Sequence, residues 1–181
     1  GDLTEKMRAY VRNEFLCENG IFTLHKGMEQ YTVLGNSLAV LCGAASHSES
    51  VQICDSIVKN KLTPSSLSMN IWKYEAMMLT DTEKYKNYIL DEIRNNYKKM
   101  IDSGSTTVWE TLEGSEAFGN AGSLCHGWSA SPVYYLNKLQ EKLQKFSIDL
   151  QTEIMDDYMQ HFAEGEQLGK SDEEIIAFYS E

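Results

Sequence analysis

What this chain lacks narrows its possible roles before any motif is read. It has no uninterrupted apolar run of the roughly 18 residues that a membrane-crossing helix needs, so no membrane insertion is expected. Its first residues, GDLTEKMRAYVRNEF, are charged and amphipathic, which does not read as a secretory signal. Basic side chains are scarce: 16 Lys and Arg stand against 27 Asp and Glu, a net charge of −11, and the only arginines are Arg8, Arg12 and Arg94. That argues against nucleic acid and anionic membrane as partners, because both are held by clustered Lys and Arg. The four cysteines, Cys17, Cys42, Cys54 and Cys125, include no C-x-x-C pair, so no metal site is expected from them. Isolated cysteines at helical spacing read as small buried hydrophobes, and a reducing, cytoplasmic setting is the expectation.

What is present suffices for a real core. Of 181 residues, 42% are hydrophobic, which fits one domain or one domain plus a small appendage. The spacing of Leu3, Met7, Tyr10, Val11 and Phe15 predicts an amphipathic helix over 3–15 that Asp2 or Thr4 can cap. Asn19-Gly20 marks a turn in the connector that follows, where Ile21-Phe22-Thr23-Leu24 could pair briefly as a strand. The run QYTVLGNSLAVLC is apolar nearly all round and reads as an inner helix covered on every side. Residues 48–59 carry a narrower stripe (Val51, Cys54, Ile57, Val58), the mark of an outer helix. Pro64-Ser65-Ser66 announces another densely apolar helix over about 66–78, with Leu67, Ile71, Trp72, Tyr74 and Met78. An amphipathic helix over 82–102 follows, with Gly104 as its C-cap, and a last helix starts near Ser129 or Ser131 with Pro132 in its first turn.

Alternation of amphipathic and nearly all-apolar helices is what concentric helical rings require, since the inner ring meets neighbours on both sides and the outer ring meets water on one. The expected class is therefore all-α: about three helical hairpins forming a segment of an α/α toroid. A plain helical bundle satisfies the same periodicity.

From the end of the helix over 82–102 into the last helix runs STTVWETLEGSEAFGNAGSLCHGWSASPVYYL, residues 105–136, whose middle, LEGSEAFGNAGS, is too rich in Gly and Ser to be helix interior. It carries Trp109, Glu110, His126 and Trp128. Indole faces can cover the apolar C–H side of a pyranose while a carboxylate and an imidazole take its hydroxyls, so this loop suits a carbohydrate site. Glu113 and Glu116 read as solvated loop carboxylates, and His25 and His47 as connector residues without a role.

The words QYTVLGNSLAVLCG, LTPSSLSMNIWKYEAM, GSTTVWETLEG and GSLCHGWSASPVYYL, in this order and spacing, resemble the six-hairpin glycosidases, nearest to the α-L-rhamnosidases of glycoside hydrolase family 78. The resemblance runs over about 2–136 and implies the C-terminal half of an (α/α)6 barrel, so the domain boundary is expected after Leu136. It implies an inverting mechanism, with a general acid and a general base roughly 6.5–9.5 Å apart. By position Glu110 matches the general base, and His126 and Trp128 match sugar contacts; Trp109 is expected to wall the cleft. The family's general acid and its Asp/Arg-rich motif belong to the other half of the barrel and have no counterpart here. The chain alone is therefore expected to be an incompetent glycosidase, with no cofactor, whose partner is a rhamnoside-like carbohydrate once the barrel is completed by a missing N-terminal half. Alternatively, a homodimer would bury open inner faces through Leu34, Leu38 and Val40.

Most of the acid excess falls after Asn137. There IMDDYMQHFAEGEQLGKSDEEIIA resembles a short HAAS-type helical module of bacterial membrane-signalling proteins, with Ser171 and Glu174 as a capping box; an acidic amphipathic helical pair fits equally. Asp157 and His161, at i and i+4, read as a surface pair rather than a metal site. Two further function classes stand beside the glycosidase: a non-enzymatic interaction or signalling module, and a polysaccharide lyase, disfavoured because no arginine sits on the key loop.

Overall fold

A computed structural model describes residues 1–143, and the expected tail module, with Asp157, His161 and the Ser171–Glu174 capping box, lies outside them. The described residues are all-α: they contain helices α1 (Asp2–Phe15), α2 (Val33–Leu41), α3 (His47–Val58), α4 (Asn70–Asp102), α5 (Ala117–Asn120) and α6 (Pro132–Leu143), and no strand. Two compact units divide the chain, one of Gly1–Glu92 and one beginning at Ile93. The boundary expected after Leu136 falls inside α6.

In the first unit, local chemistry explains where helices begin. Thr32 caps α2 by accepting the Gly35 N–H at 3.2 Å. Ser46 and Glu49 form a reciprocal capping box on α3, one residue earlier than the apolar stripe suggests. The hydrophobic core here includes Phe22, Val33, Val40, Ile53, Ile57, Tyr74, Met77, Tyr85 and Ile89. The brief pairing expected at 21–24 is a single antiparallel bridge of Phe22 with Leu16, and on the other edge of Phe22 the buried Asn36 amide imitates a strand partner. It accepts the Phe22 N–H at 2.8 Å and donates to the Phe22 carbonyl at 2.9 Å, satisfying backbone that burial would otherwise orphan.

Helix α4 is one element only by hydrogen-bond continuity. Asp81 has φ −162° and ψ 97°, an extended residue between two helical stretches, 70–80 and 82–102. Its carboxylate accepts the Lys84 N–H at 3.0 Å and so caps the second stretch. On one straight helix Lys73 and Glu92 would lie roughly 28 Å apart. Their side chains instead form an ion pair of 2.5 Å, so the break at Asp81 reverses the chain and makes a helical hairpin. Lys73 is almost wholly buried and its pKa is pushed down by that burial, with Glu92 opposing the shift. The Tyr88 hydroxyl donates to the other Glu92 oxygen at 3.3 Å.

Three expectations are corrected in this unit. The first part of the apolar stripe of α1 faces outward, with Leu3 71%, Met7 63% and Tyr10 62% exposed, while Val11 and Phe15 are half-buried. Arginines add polar contacts to the rest of the unit: Arg8 donates to the Cys42 carbonyl at 2.7 Å, and Arg12 donates to the Ala44 carbonyl at 2.6 Å and grips Glu49 with both terminal nitrogens. Helix α2 is not covered on every side: Leu38 is exposed, whereas Val40 is buried within the chain and cannot contribute to a dimer face. Of the cysteines only Cys54 is a buried hydrophobe, its thiol pushed up to about 11 by burial; Cys42 and Cys125 are exposed. Among the described residues no helix is long and apolar enough to cross a membrane.

Two outcomes follow from these ion pairs. Truncating Glu92 to Ala strands the buried ammonium of Lys73 and should cost about 3–5 kcal/mol in urea unfolding, while the paired change Lys73→Met with Glu92→Leu should recover most of it. Arg12 holds the Glu49 carboxyl down at about 2, against an ordinary value of 4.5. A depressed carboxyl contributes stability that is present above the ordinary value and lost as pH falls toward the folded one. Glu49→Gln should therefore flatten the loss of Tm between pH 4.5 and 2, measured by thermal melts across that window.

Candidate functional site

In the second unit the loop after α4 is fastened to the last turns of that helix. The helix ends in a Schellman arrangement: Gly104, at φ +72°, donates to the Ile101 carbonyl at 2.9 Å, and Ser105 donates to the Met100 carbonyl at 3.1 Å. From the same turns, Tyr97 donates its hydroxyl to the Ser129 carbonyl and Lys99 its ammonium to the Leu112 carbonyl. The Met100 sulfur accepts the Trp109 N–H at 3.5 Å.

Trp109 is 9% exposed, and its indole N–H donates to the Ser105 hydroxyl at 2.8 Å. Gly114 packs against the indole so closely that a Cβ there would lie 3.1 Å from the ring. The expected cleft wall is thus a packing residue that holds the base of the loop together. Trp128 has the opposite environment: it rides on a 3-10 turn, Gly127–Ser129, and is 78% exposed.

The two arms of the loop are tied to each other. The His126 N–H donates to the Val108 carbonyl at 2.9 Å, the Glu110 N–H to the Ser123 carbonyl at 2.9 Å, and the Thr107 hydroxyl to the Leu124 carbonyl. Glu110 and His126 are both half-buried and stand on these neighbouring arms. The Glu110 carboxylate accepts the Ser123 N–H at 3.4 Å, which restrains one of its oxygens. Glu113 and Glu116 are exposed; a backbone N–H holds the Glu113 carboxyl below its ordinary value. The structure thus brings Glu110, His126 and, two residues further on, Trp128 to one tied loop, and it assigns Trp109 to the foundation.

Sequence reasoning overlooked the residues that close this loop. Ser123 is the partner of Glu110, and Gly114 and Gly122 let two chain segments touch. A Cβ on Gly122 would lie 2.0 Å from the Gly114 carbonyl oxygen and 2.9 Å from the Ala117 Cβ. Between them Phe118, Gly119 and Asn120 all have positive φ, at 53°, 71° and 69°. The Gly-Ser richness of the segment signalled a loop, but not which glycines are contacts. Among the described residues no group of three or more His, Cys, Asp and Glu is placed to hold a metal ion.

Comparison with protein families, with curated proteins and with solved structures found no match.

Gly122→Ala forces the touching segments apart and should cost about 1–3 kcal/mol. The expected signature is a changed Trp109 signal in near-ultraviolet circular dichroism with the far-ultraviolet helical signal retained.

Proposed function

We propose that this chain is a segment of a six-hairpin, rhamnosidase-like inverting glycosidase, contributing the general-base side of a carbohydrate site and inactive by itself. The observation that carries the reading is Glu110: a half-buried carboxylate, restrained by a backbone N–H, on a tied loop that also holds His126 and an exposed indole at Trp128. A base that activates water must be held in place, and a carboxylate restrained by a backbone N–H at the edge of solvent meets that demand. The helical hairpin at Asp81 and the packing of α2 on α3 are consistent with a toroid segment of about three hairpins. The general acid would come from a complementary half, and its absence removes roughly 10²–10⁴-fold of assistance from the reaction. No cofactor enters this chemistry, and a cytoplasmic setting belongs to the same proposal.

The expected result is no turnover of an aryl α-L-rhamnoside by the chain alone, with weak binding of methyl α-L-rhamnoside detectable by calorimetry at millimolar sugar. Strong turnover abolished by Glu110→Gln would overturn the claim of incompetence while supporting the assigned base. Absence of any sugar binding would overturn the carbohydrate reading.

One observation favours a second reading, a non-enzymatic interaction module. The outward stripe Leu3, Met7 and Tyr10 on α1 is a contiguous apolar face of the kind that promotes association, either with a second copy or with another half of the fold. A monomer by size-exclusion chromatography at high concentration would remove the homodimer from consideration.

A further inference from the structure

We infer that Phe118 is a specificity-determining contact for the sugar, a ring presented to the apolar face of a pyranoside; this rests on the carbohydrate reading above. Three observations meet at this residue. Its backbone lies in the left-handed region, φ 53° and ψ 36°, where a bulky side chain is a genuine outlier. Its ring is 68% exposed, so burial does not offset the unfavourable backbone. And its surroundings are closed: Ala121 donates to the Ala117 carbonyl at 2.9 Å, while Gly122 presses against Gly114 and Ala117, so the tip of the loop has no slack through which Phe118 could relax.

Neither local conformation nor packing within the described residues accounts for a phenylalanine here. The neighbouring Gly119 adopts similar angles with no steric penalty, and a glycine or asparagine at 118 would suit the turn better. Strained residues persist where the surrounding structure holds them, and they gather at binding sites. An exposed aromatic ring on a backbone that cannot relax offers a flat apolar surface to a ligand from a fixed point of attachment. A pyranoside, with one C–H-rich face and hydroxyls around its rim, is the chemistry that such a ring recognises on a loop whose other groups are a carboxylate, an imidazole and the exposed Trp128.

The experiment uses Phe118→Gly and Phe118→Asn in the full chain, with thermal melts and with calorimetric titration of methyl α-L-rhamnoside. A ring kept for ligand contact predicts an unchanged or raised Tm in both variants, because the strain is relieved, together with about tenfold weaker sugar binding. A lowered Tm in both variants would mean that the ring serves folding and would overturn the inference. Wild-type binding that both variants retain would overturn the inference and leave the carbohydrate reading standing. A wild-type chain that binds no sugar would overturn the carbohydrate reading, and this assignment with it.

Discussion

The loop that carries every candidate residue depends on the last two turns of α4. Tyr97, Lys99 and Met100 each take hold of a different part of it: the 3-10 turn at Ser129, the carbonyl of Leu112 and the backbone of Trp109. These contacts come from one rigid rod, so they fix three loop positions relative to one another. A loop of this length would otherwise carry a large conformational entropy and no defined geometry. The Schellman end at Gly104 completes the arrangement by turning the chain back over the helix that holds it.

Within the loop, two kinds of aromatic residue do opposite things. Trp109 is buried, its N–H groups both engaged, with Gly114 laid against its ring. It is a fastener. Trp128 and Phe118 are exposed, and neither gains from the hydrophobic effect where it stands. Glu110 lies between these extremes, half-buried and restrained through Ser123. The loop thus carries one restrained carboxylate, an imidazole and two exposed aromatic residues, and it is on this grouping that the proposed carbohydrate site rests.

In the first unit, ion pairs join helices around an apolar core. Arg12 and Glu49 join α1 to the start of α3, and Glu49 simultaneously completes the capping box with Ser46. One carboxylate thus closes a helix end and holds a second helix. The buried Lys73–Glu92 pair does comparable work across the hairpin of α4. A buried pair contributes little net stability compared with apolar packing, but it penalises any arrangement that separates the partners. The reversal at Asp81 is specified in this way from both sides, by a capping carboxylate at the break and by an ion pair 19 residues apart in sequence (73 to 92).

Chemistry between neighbours in the chain sets most of the points where helices stop and start. Gly104 as a C-cap, the interruption between the two stretches of α4, Pro132 at the head of α6 and the non-helical character of the Gly-Ser segment all follow from chemistry within a few residues. The all-α class is read from the sequence as well, because apolar spacing of three and four leaves no other regular element. Which surface each residue meets is settled only by folding. The same amphipathic pattern predicts a buried stripe on α1, yet its arginines found carbonyls and a carboxylate to bind, and Leu3, Met7 and Tyr10 face outward while Val11 and Phe15 are half-buried. Trp109 and Trp128 are alike as letters, and one is enclosed while the other stands in solvent. Nothing in the composition of AFGN announced that Phe118 would be held at positive φ. Capping is local and can be read from neighbours in the chain; burial depends on segments far apart in sequence and exists only once the chain has folded.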